Sequence, residues 1–268
     1  MKFLTSVQDF TFVYKEQPFM LELKQNSDVN WLDCTQINGT DCYCDDDAQA
    51  EIRPFVHKNS GEHPGVHFFD NGNYHYMSKL WTDPLEKQFS LVIFDHHPDM
   101  QPPRFEGILS CGGWVKEVLD HNKNVQNVIL IGVSDQLIED LKKDPTAEFD
   151  KYVDRVTFIK ESDVLDGAPV AEQVLAQIPS TSNVYISIDK DALCKEDAAT
   201  NWDQGSLTYT QLEETLLVLF KNHRILGVDI CGERGKDCDF SDAGNADQLN
   251  NELNKKLYTL ISNAFQEQ

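Results

Sequence analysis

No stretch of the chain is apolar for long enough to cross a bilayer, and no leader-like apolar run follows the opening residues Met1-Lys2-Phe3-Leu4-Thr5-Ser6. The expectation is a soluble, cytoplasmic, non-exported protein with no membrane partner. Positive charge is also scarce. Lys and Arg number 23 against 45 Asp and Glu, a formal net charge of −22. Nucleic acid and anionic lipid surfaces need the opposite balance, so no nucleic-acid partner is expected. Most of the excess reads as solvated surface, and part of it as carboxylate that a bound cation would neutralise. Paired C-x-x-C arms are missing too. The seven cysteines, Cys34, Cys42, Cys44, Cys111, Cys194, Cys231 and Cys238, are expected to be reduced thiols. The trio Cys34, Cys42 and Cys44 lacks the spacing of a structural zinc site. The sequon Asn38-Gly39-Thr40 is expected to be silent in a chain that is not exported.

Repeats, low-complexity tracts and linker-like boundaries are absent as well, so residues 1–268 read as one domain. Short apolar runs cover 65–70, 90–95, 127–133, 155–160, 183–189 and 224–230. They are nearly continuous in Val, Ile, Leu and Phe, as in strands buried on both faces of a parallel sheet. Helical periodicity begins at Trp114 and covers 135–143, 170–178, 210–222 and 247–265. This alternation predicts a three-layer α/β/α fold around a mainly parallel, doubly wound sheet. Nearer the start, 10–14 and 31–35 read as strands, and a helix is expected from the acidic run at 45–47 through 56. In such a fold, chemistry belongs at the carboxyl ends of the strands.

Three strand ends carry the residues for it. One run stops in Asp95-His96-His97-Pro98-Asp99, where Pro98 ends the strand. Residues two apart in extended chain face the same way, which sets Asp95, His97 and Asp99 on one side and His96 on the other. A second run stops in Asp189-Lys190-Asp191, with Lys190 expected to point into the other layer or to solvent. Burying Asp189 behind an apolar strand costs several kcal/mol unless it has a partner, which a cation can be. A third segment, Asp70-Asn71-Gly72-Asn73-Tyr74-His75-Tyr76, has the composition of a tight turn that would present His75 at the same edge. Four carboxylates and two imidazoles suit two divalent cations.

These motifs resemble those of the ureohydrolase superfamily, the arginases, agmatinases and formimidoylglutamases. Asp95-His96-His97-Pro98-Asp99 matches the family's D-A-H-x-D with His96 in place of Ala. Ser187-Ile188-Asp189-Lys190-Asp191 matches S-I-D-x-D in full, and the third segment matches at Gly72 and His75. The resemblance runs roughly over 65–233. It implies an arginase-like fold, two manganese ions, and hydrolysis of a C–N bond in a small amidino, guanidino or amide substrate by a metal-bridging hydroxide. One ion would be held by His75, Asp95, Asp99 and Asp189, the other by His97, Asp95, Asp189 and Asp191. Asp99 would also orient the water. Relatives are often trimers or hexamers, so a homo-oligomer is implied.

The substrate half departs from the family. Trp114, in Ser110-Cys111-Gly112-Gly113-Trp114-Val115, stands where arginases hold a shuttle histidine. Gln101 falls at the place of an amino-acid-binding Asn. Glu233 is one residue beyond the acidic position of a D-I-x-E segment, and either touches substrate or pairs with Arg234. Trp202 either lines the pocket or covers the metals. Gln101, Trp114, Trp202 and Glu233 are therefore the substrate-binding candidates. Cys111 reads as a packed small residue or a catalytic thiol, and Gly112-Gly113 as an anion-binding helix start. His96 reads as a buried hydrogen-bonding group, with a proton shuttle as the other reading, and Tyr74 and Tyr76 as packing. Two other functions stay open: a one-zinc deacylase using adjacent histidines, and a non-catalytic protein stabilised by its metals.

Overall fold

The computed structural model describes residues 2–61, 63–102, 105, 107–167, 169–235 and 243–268. Cys238 lies outside them. The strands are β1 (Leu4–Asp9), β2 (Val29–Asp33), β3 (Tyr43–Cys44), β4 (Gly65–Phe68), β5 (Phe89–Phe94), β6 (Leu109–Ser110), β7 (Val125–Val133), β8 (Val156–Lys160), β9 (Asn183–Asp189) and β10 (Ile225–Cys231). The helices are α1 (Pro18–Gln25), α2 (Asp46–Asn59), α3 (Met77–Thr82), α4 (Trp114–His121), α5 (Asp135–Lys143), α6 (Glu161–Leu165), α7 (Val170–Gln177), α8 (Tyr209–Asn222) and α9 (Ala243–Glu267).

Eight strands form one sheet in the order β2-β1-β4-β10-β9-β5-β7-β8, and β3 pairs with β6 in a separate ribbon. Every pairing in the large sheet is parallel. Alternation splits each central strand between two cores. Val92 and Phe94 of β5, with Val184, Ile186 and Ile188 of β9, pack in the core that includes Leu212 and Leu216 of α8 and Leu257 and Ile261 of α9. Leu91, Ile93 and Tyr185 pack in the other, with Ile52 of α2, Leu80 of α3, Val118 of α4 and Ile138 of α5. The expected doubly wound α/β/α sheet is what the chain forms. The last two strands, β9 and β10, lie between β4 and β5. That topology brings the carboxyl ends of β4, β5, β9 and β10 side by side.

The amino-terminal region differs from expectation in one element. Residues 10–14 are not a strand: β1 ends at Asp9, and a 3-10 turn occupies Val13–Glu16. The reason is distant in sequence. The amides of Phe10 and Thr11 donate to the Asp70 carboxylate at 2.9 and 2.8 Å, so they are not available to a neighbouring strand. Burial lifts the Asp70 carboxyl to about 7, against the hydrogen bonds from Thr11 and Asn71. The expected strand at 31–35 overlaps β2, which stops where Asp33 accepts from the Thr35 amide. The acidic run does begin a helix: Asp45 caps α2 by accepting from the Ala48 amide at 2.9 Å.

A buried ion pair ties the sheet to the terminal elements. Lys190 and Glu233 are both sealed from solvent, and their charged groups touch. Gln17 and Asn254 each donate an amide hydrogen to the same carboxylate, at 2.8 and 2.7 Å. The lysine between the two aspartates thus points into the other layer, and finds its partner there. Glu233→Gln leaves the ammonium without its countercharge, so urea unfolding is expected to show a loss of about 3–5 kcal/mol. The double variant Lys190→Met/Glu233→Gln is expected to recover more than half of that loss, and equal losses in both would contradict the pairing.

Candidate metal centre

Each side chain reaches the centre by a local device. Asp95 and His97 leave the end of β5 as the chain bends at His96 and His97, where the His97 amide donates to Asp95 Oδ1 at 2.6 Å, and both side chains reach the cluster. Asp99 arrives differently. Its φ of 47° is left-handed, a conformation that residues with side chains seldom adopt, so the chain kinks after Pro98 rather than continuing to alternate. The Asp99 carbonyl then accepts from the Val115 amide of α4 at 3.0 Å. His75 follows a 3-10 turn over Gly72–Tyr74, which Asn71 caps by accepting from the Asn73 amide. A side chain at Gly72 would displace Trp202 and crowd Asp189. A Cβ would stand 2.7 Å from Trp202 Cδ1 and 3.2 Å from Asp189 Oδ2. Asp189 ends β9, and Asp191 sits in the 3-10 turn Lys190–Ala192.

These devices bring all six predicted ligands together. His75 Nδ1 lies 3.1 Å from Asp95 Oδ2, 3.1 Å from Asp99 Oδ2 and 3.5 Å from Asp189 Oδ2. His97 Nδ1 lies 3.0 Å from Asp191 Oδ2 and 3.4 Å from Asp95 Oδ1. Three donor triads result, His75/Asp95/Asp99, Asp95/His97/Asp191 and His75/Asp189/Cys231, and Asp95 joins the first two. The far nitrogen of each ring is held from behind. His75 Nε2 shares a hydrogen bond of 2.8 Å with Ser187, and His97 Nε2 lies 3.2 Å from Asp203. Trp114 donates its indole N–H to Asp99 Oδ2 at 2.7 Å. Backbone amides of His97, His96 and Asp191 donate to Asp95, Asp191 and Asp189 respectively.

Charge at the centre is unbalanced. Burial, and then the neighbouring Asp191, raises the Asp189 carboxyl above the usual range; burial, and then Asp95, does the same to Asp191. Burial works against a charged His75, but the close carboxylates of Asp95 and Asp99 outweigh it and raise that imidazole well above its ordinary value. The ring of His97 moves the same way, through Asp191 and Asp95. The cluster thus attracts positive charge strongly. His75 Nδ1 and Asp95 Oδ2 are buried without a hydrogen bond, although only 3.1 Å separates them. Orphaned donors of this kind, in an oxygen- and imidazole-rich set, fit divalent cations. The Cys231 thiol donates to Asp189 Oδ2 at 3.3 Å, and burial pushes its pKa well up, so it contributes a neutral thiol.

A cavity of about 670 Å³ opens over the cluster, lined in part by Tyr43, Gln101, Ser110, Cys111, Leu137 and Trp202. Of the four substrate candidates, Gln101 and Trp202 reach it. Trp114 and Glu233 do not, which corrects the sequence reading of both. Trp114 is fully buried, its ring 4.9 Å from His75, where it holds Asp99 instead of facing the cavity. Glu233 is bound to Lys190, and Arg234 pairs with Asp247 at 2.7 Å rather than with Glu233. Cys111 does lie on the cavity wall. His96 does not, and its Nδ1 is buried without a partner. Tyr74 and Tyr76 pack in the apolar core. Sequence reasoning missed Ser187, Asp203 and Cys42. Ser187 was visible in the S-I-D-x-D motif, and Asp203 adjoins Trp202, but nothing local marks either as a histidine partner.

Known proteins were compared with the chain and its fold. An uncharacterised protein of Thermotoga maritima is 27% identical over 229 residues, covering 85% of this chain and 78% of that one. The agmatine ureohydrolase of Thermoplasma volcanium superposes with a TM-score of 0.65 at 16% identity, over 99% of this chain and 91% of the other. Proclavaminate amidino hydrolase from Streptomyces clavuligerus gives a TM-score of 0.66 at 16% identity, over 98% and 91%. Such structural likenesses show a shared fold. No helix among the described residues is long and apolar enough to cross a membrane. Residues 67–232 match the Arginase family, a span that holds more than half of the sequence and every one of the six clustered side chains, and the chain therefore belongs to that family.

Proposed function

We propose that this protein is a binuclear metallohydrolase that cleaves a C–N bond in a small amidino or guanidino substrate, with manganese as its metal. The observation that carries the reading is the pair of donor triads joined at Asp95, with His75 Nδ1 and Asp95 Oδ2 buried and unbonded. His75, Asp95, Asp99 and Asp189 would hold one ion; His97, Asp95, Asp189 and Asp191 would hold the other. Bound as a pair, the ions would supply a water of lowered pKa as the nucleophile and hold its oxygen as it adds to the amidino carbon.

The chain's own residues set up that chemistry. The carboxylate of Asp203, kept below its usual pKa in large part by His97 despite the cost of partial burial, receives the Nε2 hydrogen of His97. Once a cation displaces the Nδ1 proton, that tautomer would leave the Nδ1 lone pair for the ion beside Asp95 and Asp191. Ser187 fixes the His75 ring in the same sense. Trp114 anchors one oxygen of Asp99, which orients that carboxylate toward the water site, and the indole fills the space behind it. Gln101, Tyr43, Ser110 and Trp202 form the wall against which the substrate is placed. A one-zinc deacylase built on adjacent histidines is disfavoured, because His97 belongs to a ligand triad and His96 stays off the cavity wall.

Metal content gives the direct test. Chelator-treated protein titrated with manganese is expected to take up about two ions per chain by the logic of paired-ion sites, and Asp95→Ala, which cuts both triads, is expected to lose both. Turnover of amidino or guanidino compounds should fall at least a hundredfold in the same variant while its circular dichroism stays native. One tightly bound ion, or undiminished turnover in Asp95→Ala, would sink the proposal.

The pH dependence has a fixed sign. Asp189, Asp191, His75 and His97 all have folded-state pKa values above their unfolded ones. The metal-free folded state therefore holds the extra protons, and its stability falls as pH rises from about 4, the ordinary Asp value. Metal binding displaces those protons, so affinity rises over the same range. Manganese is expected to raise the unfolding midpoint more at pH 7.5 than at pH 5.5. A larger gain at the lower pH would contradict the assignment of these groups as ligands.

A further inference from the structure

The ribbon of β3 and β6 forms part of the cavity wall away from the metal cluster. Its two strands are antiparallel, with Tyr43 opposite Ser110 and Cys44 opposite Leu109. One step further along the same register sets Cys42 opposite Cys111. The Cys111 amide donates to the Cys42 carbonyl at 2.9 Å, which confirms that step. Both residues lie just past the ribbon, since Cys42 is left-handed and Cys111 opens a 3-10 turn. The single backbone hydrogen bond still keeps their Cα atoms within about 7 Å of each other, inside the range that a disulfide can bridge.

The side chains are neighbours as well. The Cys42 side chain is the first cause, ahead of burial, that pushes the Cys111 thiol to high pKa. Both cysteines are half-buried and both line the cavity. Cys42 also carries a φ of 58°, a left-handed conformation for which glycine or asparagine is better suited. The Cys42 thiol also has a carboxylate neighbour, Asp41 Oδ1 at 3.9 Å. The other described cysteines do not line the cavity. Cys34 and Cys44 are buried in an apolar core, the Cys231 thiol donates to Asp189, and the Cys194 thiol donates to Asp197.

We propose that Cys42 and Cys111 form a reversible dithiol–disulfide site on the wall of the cavity, oxidised by small-molecule disulfides. One thiol, as its thiolate, attacks the small disulfide. A mixed disulfide forms and one small thiol leaves. The second protein thiol then attacks the protein-side sulfur, the Cys42–Cys111 bond forms, and the second small thiol leaves. Two electrons pass to the small disulfide, and the two protons lost by the cysteines end on the released thiols. The consequence is mechanical. Cys111 opens the 3-10 turn Cys111–Gly113, whose Gly112 carbonyl accepts from the Gln101 amide at 2.9 Å, and α4 with Trp114 follows directly. The disulfide ties this segment, which supports Gln101 and Asp99 from behind, to the β3 side of the cavity. The site does not rest on the hydrolase reading, and no metal ligand takes part.

The test equilibrates the full chain in mixtures of glutathione and glutathione disulfide. Equilibrium is the right readout, because a high thiol pKa slows attack without moving the balance at neutral pH. After acid quenching and alkylation, the intact mass is expected to show loss of two hydrogens. Peptide mapping should join the Cys42 peptide to the Cys111 peptide, and dithiothreitol should reverse the link. The oxidised form is expected to unfold several degrees higher, since the bond closes a long loop. Cys42→Ser should abolish the link. Two alkylatable thiols at the highest glutathione disulfide, stable glutathione adducts alone, or a disulfide between another pair would each overturn the proposal. If Cys42→Ser does not fold, the peptide map of the unaltered chain decides by itself.

Discussion

Buried negative charge governs this structure. Asp95, Asp99, Asp189 and Asp191 converge at the carboxyl edge of one sheet, all of them nearly inaccessible to solvent. Carboxylates packed this way repel one another and have lost most of their hydration, a cost of several kcal/mol for each unpaired charge. The chain offers partial relief from two imidazoles, several backbone amides, one indole N–H and one thiol. The ammonium closest in sequence gives none. Lys190 lies between two of the aspartates, but backbone geometry turns it to the opposite side, where it neutralises Glu233. What remains is an anionic basin whose natural complement is a small, highly charged cation. The sheet order serves that basin. Because β9 and β10 enter between β4 and β5, donors from four separate parts of the sequence end at one edge.

The ring nitrogens show how the remaining freedom is removed. A histidine between two carboxylates could adopt either tautomer and two ring orientations. Ser187 and Asp203 each engage an Nε2, which leaves both Nδ1 atoms turned to the aspartates. Ser187 is itself steadied by Ser78 at 2.8 Å. Trp114 does for Asp99 what the serine does for His75. Asp99 needs this most, because its left-handed backbone is the strained member of the set. The supporting groups come from β9, α3, α4 and the loop at 201–205, so the ligand set depends on packing across the whole edge.

The sequence revealed most where the physics is local. Continuous apolar runs located the central strands because burial on both faces demands them, and strand ends followed from the same runs. D-x-H-x-D and S-I-D-x-D were legible as acids and imidazole set at strand ends, although Asp99 reaches the cluster through a left-handed kink and Asp191 through a 3-10 turn instead of by alternation. The readings that failed had distant causes. Residues 10–14 carry strand-like side chains, but their amides are claimed by Asp70, some sixty positions away. Trp114 looked like a pocket residue; its N–H is committed to an aspartate fifteen residues earlier. Gln17 and Asn254, near opposite ends of the chain, meet over Glu233. Periodicity carries no trace of such partners, which only the tertiary fold supplies.

The position of Glu233 follows from the turn at Gly232. Cys231 ends β10 with its thiol on Asp189, and strict alternation would carry residue 233 back to the same side. Gly232 interrupts the alternation with a φ of 87°. A Cβ there would stand 2.2 Å from Asp189 Oδ1 and 2.6 Å from the Lys190 amide nitrogen, so only glycine fits. After that turn Glu233 points to Lys190 instead of the carboxylates. An acid one position earlier would have collided with Asp189, and an acid at 233 is consumed by the buried ion pair. No carboxylate from the end of β10 can therefore reach the cavity. In the proposed reaction the amidino group is positioned by the cavity wall around Gln101, Tyr43 and Trp202, and the ion pair that diverts Glu233 keeps the Asp189–Asp191 loop rigid.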